Sequence, residues 1–223
     1  FGSGLTLTLS GDLSKRSNRY EVALKNPAIN DSDYNGEVEA HSTKIEYRRS
    51  QYDSDVKTKG FSVAAGKEVV RNTYVGARYG LDFIKEVYNY IPNSNVPINK
   101  RFLDQDYTNS SITPYINYDS TNDFYFPTAG IKAGASVEYA GVGGDSKYIK
   151  PGVNFRYFYS LEDLTELDWI LRFKTQAKML IDEGQINQGD SLYLGGPKTL
   201  RGYKSYAFSN NDNGYKDDLY EKM

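Results

Sequence analysis

The chain of 223 residues contains no cysteine, a single histidine and a single tryptophan. The absence of cysteine excludes a disulfide scaffold and thiolate chemistry, and it disfavours a structural zinc site. Acidic and basic residues nearly balance, at 29 and 27, so the composition does not predict a nucleic-acid partner. No uncharged apolar run approaches the roughly 18 residues that a membrane helix needs. The first residues also lack the basic start and continuous apolar core of a signal peptide.

Tyrosine is abundant, with 21 residues, and apolar and polar side chains alternate over long stretches. The mean hydropathy of −0.65 is that of a soluble protein. A transmembrane β-strand, however, places apolar side chains only at alternate positions, so mean hydropathy does not detect it. The alternation is therefore the informative signal.

Period-two alternation is clearest in residues 168–180. One side of this segment carries Trp169, Leu171, Phe173, Thr175, Ala177 and Met179, and the other carries Ile170, Arg172, Lys174, Gln176 and Lys178. The same pattern recurs over 72–84, 129–140 and 147–160, and more weakly over 3–12, 18–26, 36–49, 57–67 and 107–119. The pattern predicts an all-β protein with nine strands and no domain linker.

Strand length distinguishes membrane from soluble β-folds. About ten residues at about 3.3 Å each, tilted near 40°, span the roughly 25 Å apolar band of an outer membrane. Charged residues lie in the middle of the predicted strands, opposite apolar ones, and tyrosines near strand ends suit an interfacial aromatic girdle. These tyrosines are Tyr118, Tyr139, Tyr148 and Tyr159. The pattern favours a transmembrane antiparallel β-barrel, with a soluble β-sandwich as the alternative.

Loop lengths predict the topology. Connections near 49–57, 85–106 and 181–223 are long or polar, whereas 67–72, 119–129 and 160–167 are shorter, which is the alternation of external loops and periplasmic turns. Alternation in 36–49 changes phase near Ser42 to Lys44, which predicts a β-bulge or a misplaced boundary. Nine strands would leave open edges in lipid, so we expect the chain to be part of a larger barrel.

Two motifs stand out from the strands. Phe126, Pro127, Thr128 and Gly130 form an F-P-T-x-G turn directly before a strand, and Gly195, Gly196, Leu200, Arg201, Gly202 and Tyr203 form a Gly-Gly and Leu-Arg-Gly-Tyr element after the last strand. Together they resemble the BamA family of outer-membrane assembly barrels and its wider superfamily, which includes TamA and the two-partner secretion transporters. The resemblance implies a sixteen-stranded barrel. This chain would supply nine of its strands, in residues 1–180, and part of the sixth external loop, in residues 181–223.

The resemblance also implies a function and a location. It implies a non-enzymatic protein of the outer membrane of a Gram-negative bacterium that assembles and inserts other β-barrel proteins, without a cofactor or metal. Its partners would be unfolded outer-membrane barrel substrates, outer-membrane lipid, and accessory lipoproteins and periplasmic chaperones that bind regions outside this chain. The sixth loop would return into the lumen, where Arg201 offers a planar guanidinium suited to carboxylates.

Other functions stay open. A two-partner secretion pore belongs to the same superfamily, and a passive porin or receptor would share the barrel. An enzyme would depend on His41, but Ser42 beside it would point to the opposite side of a strand, so we expect His41 to be a wall residue. The segment GVGGD (141–145) lacks the Lys-Ser/Thr of a phosphate loop and predicts a turn.

Overall fold

The protein is an antiparallel β-sheet. A computed structural model describes residues 4–48, 52–90, 103–162, 167–185, 190, 192–194, 202 and 208–209. Within them, no helix is long and apolar enough to cross a membrane. The nine long strands are β1 (Thr6–Leu13), β2 (Ser17–Asn26), β3 (Tyr34–Arg48), β4 (Tyr52–Val70), β5 (Thr73–Tyr90), β6 (Gln105–Asp119), β7 (Gly130–Ala140), β8 (Lys147–Ser160) and β9 (Ile170–Lys178).

Each long strand pairs with the next one in sequence, so the sheet order is β1 to β9. A short strand, β10 (Ile181–Gln185), continues along β8 after β9 ends. Two-residue strands β11 (Tyr193–Leu194) and β12 (Phe208–Ser209) pair with each other. The nine strands predicted from alternation are therefore confirmed.

The register defines two faces of the sheet, because directly opposed residues of antiparallel strands lie on the same side. One cross-strand row is apolar over eight strands: Leu7, Leu24, Val38, Val63, Tyr79, Ile112, Tyr139 and Ile149. We call this side the apolar face. Most of its large side chains are exposed, with Ile112 at 42% and Leu9 at 70%. An exposed apolar surface of this extent is not typical of a soluble monomer.

The opposite side, which we call the polar face, carries most of the charged residues found in the middle of the strands. These include Glu37, Glu39, His41, Arg78, Asp82, Lys132, Glu138, Lys150, Arg156, Arg172 and Lys174. The division into two faces is the one that alternation predicts.

The predicted bulge near Ser42 to Lys44 is wrong. β3 pairs with β2 and with β4 without a register shift. The two sides of the strand instead exchange polarity: beyond Ser42 the apolar-face side carries Lys44 and Glu46, and the polar-face side carries Ile45 and Tyr47. A continuous strand whose two sides exchange polarity shows the same phase change in its sequence as a strand with one inserted residue.

The same exchange occurs at the same level in β4 and β5. Lys57 and Lys85 oppose each other on the apolar-face side, whereas Tyr52 is buried on the other side. We call residues 42–48, 52–59, 84–90 and 105–109 the extension. Because of the extension, β4 starts before its predicted bounds of 57–67, and β5 ends after its predicted bounds of 72–84. The connections expected at 49–57 and 85–106 are therefore shorter than predicted.

Register shifts do occur at two other places. One lies between Glu68 and Val70, beside the tight turn to β5, where Asn72 has a φ of 66°. The other lies between Asp182 and Gln185, where Gly184 has a φ of 130° that favours glycine.

Candidate functional site on the polar face

His41 and Asp82 meet above a glycine of the strand between them. His41 on β3 and Asp82 on β5 both lie directly opposite Gly60 of β4. The His41 Nε2 atom is 3.1 Å from an Asp82 carboxylate oxygen. A Cβ atom on Gly60 would overlap that carboxylate. The glycine thus allows two polar side chains to join across a third strand.

Charged neighbours extend this contact along the polar face. His41 Nδ1 lies 3.5 Å from Glu39, and the Arg78 guanidinium lies 3.7 Å from the other carboxylate oxygen of Glu39. Glu37 is 3.4 Å from the Lys25 ammonium and 4.0 Å from Arg78. The ion pairs therefore connect β2, β3 and β5, and they restrain the relative positions of these strands.

Glycines receive neighbouring side chains at two further places. A Cβ atom on Gly134 would lie 2.6 Å from the Asn117 side-chain oxygen and 2.7 Å from the Asn154 side-chain nitrogen, on the two flanking strands. A Cβ atom on Gly76 would lie 2.5 Å from the Tyr115 hydroxyl. Small residues under polar side chains therefore recur across the polar face.

Asp190 is bound to the polar face at β6 and β8. It is 5% exposed. The Ser146 hydroxyl donates a hydrogen bond of 2.8 Å to one carboxylate oxygen, and the Asn109 amide donates one of 3.5 Å to the other. These partners are 44 and 81 residues away in sequence. The chain beyond β10 therefore returns to the sheet at this point.

The hydrogen bonds continue from Asn109 into the sheet. The Tyr148 hydroxyl accepts a 2.9 Å hydrogen bond from the Asn109 amide and donates one of 2.7 Å to Glu138. Lys150 lies 3.9 Å from Glu138 and stands over the Tyr148 ring at 4.4 Å from its centroid. Tyr148 is 1% exposed. Since a buried hydroxyl without partners is costly, this two-sided hydrogen bonding stabilises the cluster.

The F-P-T-x-G motif forms the turn between β6 and β7. Phe126 is 82% exposed. The Asn122 side chain accepts hydrogen bonds from the Thr128 and Ala129 amides and donates one to the Thr128 hydroxyl. Gly130 has a φ of 109°, and a Cβ atom there would lie 2.5 Å from a backbone oxygen. The turn therefore requires glycine at this position.

An aspartate before the motif holds the same turn. The Asp123 carboxylate accepts hydrogen bonds of 2.7 Å from the backbone amides of Phe126 and Tyr125. These amides hold the pKa of Asp123 below its ordinary value. Asp123 was not foreseen from the sequence, although an aspartate two or three residues before backbone donors is a recognisable turn signal.

Only Gly202 of the second motif is among the described residues. Its φ of 88° lies in the region that favours glycine. The other members, Gly195, Gly196, Leu200, Arg201 and Tyr203, lie outside the described residues.

The register places Ser42 and His41 on opposite faces, as expected. Among the described residues, no group of three or more His, Asp or Glu side chains is arranged to hold a metal ion. The girdle position expected for Tyr148 is wrong, because its side chain is 1% exposed on the polar face. The contacts of Gly60, Asp82 and Asp190 were not foreseen, because their partners are distant in sequence.

Comparisons with known proteins agree with this architecture. The Omp85 superfamily domain matches residues 1–219. The chain is 26% identical over 219 residues to the outer membrane protein assembly factor BamA of Nitratidesulfovibrio vulgaris strain Hildenborough, covering 95% of this chain and 26% of that protein.

A solved structure has the same fold. It is the crystal structure of BamA from Haemophilus ducreyi lacking POTRA domains 1–3, with a TM-score of 0.73 and 21% identity over 92% of this chain and 41% of that one. The chain thus spans about a quarter of the length of the first relative and less than half of the second. Its antiparallel sheet is of the BamA barrel type, and with a domain match over nearly its whole length the chain belongs to the Omp85 superfamily.

Proposed function

We propose that the protein assembles and inserts β-barrel proteins in the outer membrane, as a BamA-type factor. The observation that carries this proposal is the match of one superfamily domain to residues 1–219, with the fold of a BamA barrel. The relative at 26% identity is itself an outer-membrane assembly factor. The proposed partners are unfolded barrel substrates, with accessory lipoproteins and chaperones that bind elsewhere in the full-length protein.

The apolar face supports a membrane location. On β4, Lys59 and Lys67 flank the apolar-face residues Phe61, Val63 and Ala65. The eight residue steps from Lys59 to Lys67 cover about 26 Å along the strand and, at a tilt near 40°, about 20 Å across a membrane. This height is close to the roughly 25 Å apolar band of outer-membrane barrels. We therefore assign the apolar face to lipid.

The proposed activity requires no bond chemistry. A nascent strand with unpaired N–H and C=O groups is costly in hydrocarbon, and an assembly barrel lowers that cost by offering backbone partners. In this proposal residues 1–180 provide a wall that must hold its shape. The contact of His41 with Asp82 over Gly60 and the hydrogen bonds around Tyr148 provide that rigidity.

Residues 181–223 form the sixth external loop in this proposal, with β10 at its base. The hydrogen bonds that hold Asp190 on the polar face support a return of this segment towards the lumen. The φ of Gly202 supports a reversal of the chain beside Arg201. We infer that Arg201 docks on the lumen wall and that Gly202 and Tyr203 determine its approach.

The test replaces the full-length protein in cells with an Arg201→Glu variant, with Lys204→Glu as the control of equal charge change. Heat-modifiable folded porin in the outer membrane is measured after depletion of the wild type. We expect folded porin to fall with Arg201→Glu, but not with Lys204→Glu, while both variants reach the membrane. Normal porin folding after complete loss of the protein would reject the assembly role and favour a secretion or diffusion pore.

A further inference from the structure

The extension carries lysines on the side that continues the apolar face. Lys44, Lys57 and Lys85 form one cross-strand row over β3, β4 and β5. Lys59 lies on the same side, two residues along β4 towards the apolar row, and directly opposes Phe83. Lys57, Lys59 and Lys85 are all exposed. Three cations therefore occupy adjoining positions on one surface.

The neighbouring carboxylates do not neutralise these three lysines. Lys44 pairs with Glu46 at 2.7 Å. Among the described residues, no ion pair joins Lys57, Lys59 or Lys85 to a carboxylate, although Asp106 directly opposes Lys85 on β6. Like charges in directly opposed positions, such as Lys57 and Lys85, repel each other. An anion held between them would remove this repulsion.

The level of the lysines along the strands decides between a hydrated surface and a lipid site. Lys59 shares its row with Phe83 and Tyr20, and aromatic residues of this kind lie at the headgroup level of membrane proteins. The polar layer of a bilayer adds about 5–8 Å on each side of the hydrocarbon. One row of a strand is about 7 Å. The rows of Lys59 and Lys57 therefore fall in the layer that contains lipid phosphates.

Acidic residues lie one row farther out. Glu46 and Asp55 oppose each other beyond the row of Lys57 and Lys85. On an ordinary solvated surface, basic and acidic residues would mix without regard to depth. Here the row of Lys59 holds no acid, the row of Lys57 and Lys85 holds three lysines and one acid, Asp106, and the next row outward holds Glu46 and Asp55.

We propose that Lys57, Lys59 and Lys85 bind the phosphate groups of outer-leaflet lipid headgroups, at the membrane surface beside β4 and β5. Lysine binds phosphate as a compact point charge with three donors. The proposal rests on the membrane location given above and on the external side that the sequence predicts for the connections near 49–57 and 85–106, which join the strands of the extension. Bound lipid would hold this wall at a defined depth in the membrane.

The test uses the full-length protein purified in neutral detergent and a bis-phosphorylated glycolipid as the probe. The variant combines Lys57→Gln, Lys59→Gln and Lys85→Gln. The control removes three cations of the polar face of β9, by Arg172→Gln, Lys174→Gln and Lys178→Gln. A lysine near an anionic lipid surface contributes about 5-fold in affinity, so the variant should bind about 100-fold more weakly than wild type. The control should bind like wild type.

Three further measurements separate the explanations. The dephosphorylated glycolipid should bind wild type and variant equally weakly, and complete competition by millimolar inorganic phosphate would overturn the lipid assignment. Equal affinity of wild type and variant, or an equal loss in the control, would also overturn it. Heat-modifiable mobility confirms that each variant is folded. Flotation with liposomes tests the membrane location separately, because the variant should still float.

Discussion

A single added methyl group at Gly60 should test the polar-face contact between strands. In Gly60→Ala, the new Cβ atom would overlap the Asp82 carboxylate and lie 2.6 Å from the Leu81 carbonyl oxygen. Asp82 must then move away from His41. Gly80 on the same face provides the matched control, since a Cβ atom there would lie 3.8 Å from its nearest neighbour, the Ser111 hydroxyl.

The magnitude follows from three contributions. Overpacking in a fixed site costs about 1–3 kcal/mol. Loss of the 3.1 Å contact between His41 Nε2 and the Asp82 carboxylate costs about 1 kcal/mol, because the two side chains are 20% and 32% exposed and solvent screens their attraction. Replacement of glycine by alanine stabilises by about 0.4–1 kcal/mol through the unfolded chain. We expect Gly60→Ala to lose about 2 kcal/mol and Gly80→Ala to lose nothing.

The assay is urea unfolding of the full-length protein in lipid vesicles, followed by heat-modifiable electrophoretic mobility. Gly60→Ala should also be measured in an Asp82→Ala background, where part of the loss should disappear. The rest should persist because the Leu81 carbonyl oxygen is still close. Equal free energies of unfolding for Gly60→Ala and Gly80→Ala would refute the steric role of Gly60. An undiminished loss without Asp82 would refute the role of its carboxylate.

Three further predictions test other parts of the sheet. Val63→Lys on the apolar face should cost about 2–4 kcal/mol of unfolding free energy in vesicles, whereas Val87→Lys, on the same side of the extension, should cost little; equal costs would contradict the exchange of polarity. Tyr148→Phe removes the hydroxyl that donates to Glu138 and accepts from Asn109, and it should cost about 1–3 kcal/mol by urea titration. An unchanged midpoint would contradict the role of the cluster. Because the pKa of Asp123 is lowered in the folded state, the carboxylate stabilises the fold above its unfolded pKa near 4, and this stabilisation is lost as pH falls through the folded pKa. Asp123→Asn should therefore flatten the acid limb of the curve of unfolding free energy against pH.

The phase change near Ser42 shows how an ambiguous sequence signal is resolved. An inserted residue and a change of surroundings both shift apolar side chains to the other parity. The choice depends on the partners of β3, and its register with β2 and β4 is continuous. The same exchange of polarity occurs in β4 and β5. Their ends were missed because a strand predicted from regular alternation is taken to end where the alternation changes phase.

Nine strands, their two faces and the turn before β7 were determined by the sequence alone. These features depend on neighbouring residues: alternation divides a strand into two sides, and Gly130 with its F-P-T sequence closes a local turn. The superfamily resemblance was likewise visible in two short motifs, and the domain match confirmed it.

Only the tertiary structure showed which distant residues meet. His41, Gly60 and Asp82 are about 20 residues apart in sequence, and a shift of one residue in register would separate them and turn their side chains to other faces. Asp190 reaches Asn109 across 81 residues. The level of Lys57, Lys59 and Lys85 relative to the apolar face likewise follows from strand pairing. Contacts between strands depend on register, which is a property of pairs of strands and is not encoded in the alternation of either strand alone.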